Sequence, residues 1–201
     1  MAETKTRTGP RGEAKTRHIV ECAARVFAEK GYAATSVDDI ARAAHASKQT
    51  LYSRFPAKSD LLKAAIEKAC HDLAAERPSA PLPDDLEGVM LRLGKDVAER
   101  FALPRMHQLL EGVIGAKAAE PDAAMIFWET GPGLAASAIA ARLNATGAGR
   151  DSERLARDFI LDIAGPVIAR GVFGPVAPAD LEDLVSRTLA TFRVRNPALF
   201  D

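Results

Sequence analysis

Cysteine, net charge and long hydrophobic runs are all scarce in this chain of 201 residues. Cys22 and Cys70 are the only cysteines, too few and too widely spaced for a disulfide framework or a zinc finger. A reducing compartment fits that usage. Lys and Arg number 27 and so do Asp and Glu, while hydrophobic residues reach 47%, which excludes both a highly basic coat protein and a disordered chain. The first thirty residues carry no apolar targeting core, and the most apolar later run, residues 134–143, is too short to span a bilayer. The expected localisation is cytoplasmic. Nothing alternates with a period of two over a useful length and β-branched residues are sparse, so a sheet protein is excluded and the expected fold class is all-α.

What is present is unevenly distributed. Residues 1–60 carry 11 Lys/Arg against 7 Asp/Glu, net +4, whereas residues 61–201 carry 16 against 20, net −4. Lys5, Arg7, Arg11, Lys15 and Arg17 fall in a stretch without hydrophobic period, and residues 1–13 read as a flexible basic arm. Pro and Gly cut the remainder into pieces of helical length, with a clear loop at Pro78, Pro81 and Pro83. Apolar residues recur at helical spacing in Ile19, Ala23, Val26 and Phe27, again in Leu61, Leu62, Ala65 and Ile66, and in Leu86, Val89, Leu93 and Val97. The expected division is a smaller helical domain over residues 14–60 and a larger helical domain over 61–201.

Residues 31–62 carry the sharpest local signal. Ser36 is placed to cap one helix, with Asp39 reaching back from its first turn, and Ser47 is placed to cap the next. Val37, Ile40, Ala41 and Ala44 make an apolar face on the first, while Leu51 and Phe55 lie on the buried side of the second. Lys48, Gln49, Ser53 and Arg54 then point outward. Two short helices joined by a tight turn, the second offering Lys, Gln and Thr, describe a helix-turn-helix reader of duplex DNA. In that arrangement Lys48, Gln49 and Arg54 reach base edges, and Thr50 and Tyr52 donate to the backbone. The helix starts at Thr35-Ser36 and Ser47, with Lys58, suit phosphate oxygens. Each of these residues alone also fits an ordinary cap, core aromatic or solvated charge; the order and spacing of all of them carry the reading.

This stretch resembles the DNA-binding domain of the TetR (tetracycline-repressor-like) transcriptional regulators. The resemblance rests on Gly31-Tyr32, Thr35-Ser36, Val37, Ile40-Ala41, Ala44, Ser47, Leu51-Tyr52, Phe55 and Lys58, and covers residues 14–65. It implies DNA contacts by Thr35, Ser36, Ser47, Lys48, Gln49, Thr50, Tyr52, Arg54 and Lys58, a fold of about nine helices, and a homodimer. At the inter-helix turn His45-Ala46 replace the usual Gly-Val, and His is among the residues that tolerate positive φ. The implied whole is an N-terminal three-helix DNA-binding domain followed by a helical effector-binding and dimerisation domain. It would act as a repressor that grips a palindromic operator and is released by an apolar small-molecule effector.

Later residues are less specific. Leu109, Leu110, Val113, Met125, Ile126, Phe127 and Trp128 cluster around a Pro121-containing segment, either as core or as walls of a ligand site. Helices read over residues 153–170 and 179–193 correspond to the family's two-fold interface, which makes Leu155, Phe159, Ile163, Leu181, Leu184, Val185 and Leu189 candidate interface or core residues. Catalysis finds no foothold: the four His are scattered, with no H-E-x-x-H, G-x-S-x-G or phosphate-loop pattern and no Cys/His cluster. No cofactor, metal or membrane partner is expected. The alternatives are a DNA-binding regulator controlled by a protein partner without an effector, and a helical enzyme or scaffold.

Overall fold

A computed structural model describes residues 10–76 and 81–200. Ten α-helices follow in order: α1 Pro10–Lys30, α2 Val37–Ala43, α3 Lys48–Tyr52, α4 Lys58–Glu76, α5 Leu86–Phe101, α6 Pro104–Ala116, α7 Ala123–Thr130, α8 Pro132–Ala145, α9 Ser152–Gly171 and α10 Pro178–Arg195. No strand occurs among the described residues.

Local chemistry explains the helix boundaries. α1 stops at Lys30 because Gly31 follows with φ 76°, a left-handed turn that favours glycine. Ser36 accepts from the Asp39 N–H at 3.1 Å while Asp39 accepts from the Ser36 N–H at 3.0 Å, the reciprocal box expected at the start of α2. His45 takes φ 46° in the turn that follows, as its residue type allows. Asp60 reaches back to accept from the Ala57 N–H at 2.9 Å at the start of α4, and Asp85, the N-cap of α5, accepts from the Gly88 N–H ahead of it at 2.7 Å.

Two expectations about organisation change. α1 begins at Pro10, so residues 10–13 are helix rather than arm; Lys5 and Arg7 lie outside the described residues. The division expected at residue 60 falls inside α4, which runs unbroken from Lys58 and packs against both α1 and α7. The two units therefore share a helix and one continuous core.

α1, α2 and α3 close around Ile19, Ile40 and Leu51, each fully buried. α5 is the centre of the larger unit, contacting α8, α9 and α10. Gly94 makes that packing possible: a Cβ there would stand 2.9 Å from Ile163 Cδ1 and 3.0 Å from Val185 Cγ1. Salt bridges from Lys95 to Glu182, and from Arg193 to Glu87 at 3.1 Å, pin α5 to α10.

This packing also resolves the candidates on the last two helices. Phe159, Ile163, Leu181, Leu184, Val185 and Leu189 are buried inside the single chain, so they form the protomer's own core. Leu155, half-buried, lies in the outer groove between α9 and α10, whose floor also includes the buried Phe159 and Leu184. The helical seam faces α5, and the outer faces are mainly polar, with Leu161 and Val194 exposed among the charges.

Candidate nucleic-acid interface

α3 is five residues long, and its position is fixed by one side chain and one cap. Leu51 is fully buried, and Ser47 accepts from the Thr50 N–H at 3.1 Å, with its hydroxyl 2.9 Å from that of Thr50. With Leu51 turned inward, the 100° step of the helix carries Lys48, Gln49 and Tyr52 to the outside. Lys48 and Gln49 are exposed, as is Ser47, and Tyr52 is 49% exposed. Thr50 is half-buried at the edge of this flank, and Ser36 is exposed at the start of α2.

Charge on this surface is held by the two aspartates of α2. Lys48 Nζ lies 2.7 Å from Asp38 Oδ1. Asp39 takes Lys30 at 2.9 Å and Arg42 at 3.6 Å. Hydrogen bonds from Ser36 and Lys30 hold the Asp39 carboxyl well below the usual carboxylate range. The Lys48–Asp38 pair is exposed at both ends, so it contributes only about 0–1 kcal/mol, and a phosphate can take the ammonium at little cost.

Three expected contact residues are placed differently. Thr35 is 2% exposed, its hydroxyl donating to the Gly31 carbonyl at 2.7 Å. It locks the corner between α1 and α2 and presents no side chain outward. Lys58 points into the same corner, donating to the carbonyls of Tyr32 at 2.9 Å and Thr35 at 3.0 Å with its ammonium 4.2 Å from the Tyr32 ring centroid. Arg54 turns back onto α1, where Nη1 donates to the Gly12 carbonyl at 3.1 Å and to the Thr16 hydroxyl, and its Nε is buried without a partner. α3 ends at Tyr52, so Arg54 lies beyond the helix and does not follow its outward register.

The cations that sequence reasoning assigned to the arm gain a structured position. Arg11 and Lys15 are exposed on the first turns of α1, beside the Gly12 carbonyl that receives Arg54. Arg42 is a further exposed cation, on the last turn of α2; its polar-face position was the available signal. Tyr32, matched in the motif but given no role, is a hub: its phenol donates to Glu120, and burial followed by that bond pushes its pKa up. No local signal connects residues 88 apart. Cys22 and Cys70 are both buried and free, the former against the Ala43 carbonyl at 3.4 Å. Among the described residues no three His, Cys, Asp or Glu side chains gather as a metal site.

The expected ligand-lining residues are not brought together. Leu109 and Val113 line one cavity. Phe127 packs edge-on against Phe101 at 6.3 Å, Trp128 sits under Arg157, and Met125 is 56% exposed. Leu110 is half-buried against the core. Met125 and Trp128 are three residues apart on α7, but Phe127 points about 160° and 100° away from them, so the three do not share one wall.

Comparison with known proteins matches this region. Residues 19–65 fit the family model described as bacterial regulatory proteins, tetR family. The HTH-type transcriptional repressor SCO4008 of Streptomyces coelicolor is 40% identical over 81 residues, 40% of this chain and 41% of that protein. The DNA-binding transcriptional repressor TetR of Mycobacteroides abscessus is 40% identical over 62 residues, 31% of this chain and 32% of that one. The chain thus aligns with about a third to two fifths of the length of these curated relatives. Over the whole fold, the solved structure of the flavonoid-responsive regulator FrrA superposes with a TM-score of 0.76 at 25% identity, covering 91% of this chain and 97% of its own. A TetR-family regulator from Pseudomonas syringae shares the fold with a TM-score of 0.64 at 21% identity, covering 89% and 95%. Among the described residues no helix is long and apolar enough to cross a membrane.

Proposed function

We propose that the chain is a TetR-family transcriptional regulator, on the match of residues 19–65 to that family's model, and acts as a cytoplasmic operator-binding repressor, active as a homodimer and relieved by a small molecule. The observation that carries the reading is the flank of α3. Lys48, Gln49 and Tyr52 face solvent from a short rod whose opposite side is anchored by a fully buried Leu51, the arrangement of a helix seated in a major groove. Gln49 is suited to adenine N6/N7 and Lys48 to guanine O6/N7 or phosphate. Ser36, Ser47, Thr50 and Tyr52 supply hydroxyls for the backbone, and Thr35, Arg54 and Lys58 hold the reader rigid instead of touching DNA.

Dimerisation is assigned to the outer faces of α9 and α10. Leu161 is 49% exposed there, and the groove between the helices carries Asp158 and Asp162 together with Arg187 and Arg195. Both signs on one patch permit self-pairing across a two-fold axis. Two readers roughly 34–36 Å apart then meet successive major grooves, and an effector that favours another spacing must weaken DNA binding by the same factor by which DNA weakens its own.

Selection of duplexes from a random pool tests the reading directly. A palindrome is expected, with Gln49→Ala relaxing preference at one base pair in each half-site. Failure to enrich any sequence at low salt would reject it. Leu161→Glu is expected to give monomers in sedimentation and to abolish tight operator binding.

A further inference from the structure

An apolar slot of about 210 Å³ lies on the seam between α1, α4 and α6. Reader and effector unit both wall it: Phe27 and Tyr32 on one side, Leu62 and Ala69 on α4, Leu109 and Val113 on α6. A dry cavity of about 150 Å³ holds benzene, so this slot has room for one or two fused rings. Arg105 and Gln108 stand exposed at its mouth, three residues apart on α6, so they lie on one helix face. An occupant therefore meets apolar walls inward and hydrogen-bond donors outward.

Gly112 adds to the open volume on the α6 wall of the slot. It lies inside α6, where glycine weakens a helix relative to alanine. No close neighbour requires it, since a Cβ built there meets nothing within 4 Å. It lines the slot, and its missing side chain is part of the open volume.

Tyr32 connects the slot to the reader. Its ring forms one wall, its phenol donates to Glu120 just after α6, and its carbonyl and ring hold Lys58. Lys58 in turn holds the Thr35 carbonyl at the entrance to α2. Anything pressing on Tyr32 presses on the corner that aims α2 and α3.

We infer that this slot binds a small aromatic molecule of one or two rings carrying one acidic or hydroxyl group, received by Arg105 and Gln108, and that Tyr32 carries its occupancy to the reader. The second half rests on the operator-binding reading above; the first is tested without DNA. The probe is 2-naphthoic acid, with naphthalene as comparator, on the full chain. At about one hundred times its dissociation constant, naphthoate is expected to raise the melting temperature by about 5–10 °C, and naphthalene by less. Gly112→Leu and Ala69→Leu fill the slot from opposite helices and abolish the rise, while their own unliganded melting curves report folding. Gly112→Ala, which favours the helix, weakens the probe several-fold. No rise in the unaltered chain, an equal rise with naphthalene, or an undiminished rise in the folded filled variants would overturn the site. Glu120→Ala, outside the slot, removes the acceptor of the Tyr32 phenol: the naphthoate melting rise should remain, yet naphthoate should no longer lower DNA retention. A retained DNA response would refute the role of Tyr32. If the unaltered chain binds no duplex, the regulatory reading fails and the melting series still decides the site.

Discussion

Replacing Arg54 with Ala distinguishes a DNA contact from an internal brace. The guanidinium donates to the Gly12 carbonyl and the Thr16 hydroxyl, and hydrogen bonds from a charged donor contribute about 1.5–3 kcal/mol each. Against this, its Nε is buried without a partner, which costs about 1–3 kcal/mol and is relieved by truncation. Thr16 already donates to the Gly12 carbonyl at 2.9 Å, so neither acceptor is left wholly orphaned. The balance is a loss of about 2 kcal/mol, a fall in melting temperature of about 4–8 °C for a chain of this size. DNA affinity should drop because the start of α1 and the end of α3 lose register. The slope of log affinity against log salt should stay as it was, since no phosphate contact is removed. Melting curves and a salt titration of duplex retention, run on the same preparation, provide the test. An unchanged melting temperature together with a slope smaller by about 0.9 would mean that Arg54 leaves α1 to neutralise a phosphate, and the brace would be refuted.

Lys48→Ala should show the opposite pair of effects: a salt slope reduced by about 0.9, with stability changed by less than about 1 kcal/mol because its partner Asp38 is exposed. Ser47→Ala removes the cap of α3 and its bond to the Thr50 N–H; a loss of about 1 kcal/mol, or roughly 2–4 °C in melting temperature, is expected. Asp39 gives a pH dependence whose sign follows from its lowered pKa. Its stabilisation is fully present above the unfolded value of about 3.9 and fades as pH falls toward the lower folded value. The difference in stability between the unaltered chain and Asp39→Asn should therefore shrink below about pH 4 in acid titrations followed by circular dichroism; a constant difference would contradict the ion-pair geometry.

The all-α class, the caps at Ser36 and Ser47, the positive-φ turn at His45 and the outward Lys48-Gln49 pair were all legible in the amino-acid sequence. Each depends on residues within about four positions of one another, where helix spacing and capping chemistry act directly. The outward reading of Arg54 failed because α3 ends at Tyr52, two residues before it, so helical register no longer governs its direction. Thr35 and Lys58 were read as phosphate contacts because their type and place allow it, and only the closed corner between α1 and α2 shows their polar atoms already used. Phe159, Ile163 and Leu189 carried the same amphipathic signal whether they faced α5 or a second chain.

Periodicity and capping thus determined which segments are helices and which flank of α3 is polar. Tertiary structure alone decided which polar groups remain available, which apolar seam is core, and that α1, α4 and α6 leave a slot between them. The reason is separation along the chain: Arg54 meets its acceptors 38 and 42 residues away, and Tyr32 meets Glu120 across 88. Partners so distant are chosen by how helices pack, and no local pattern records that choice.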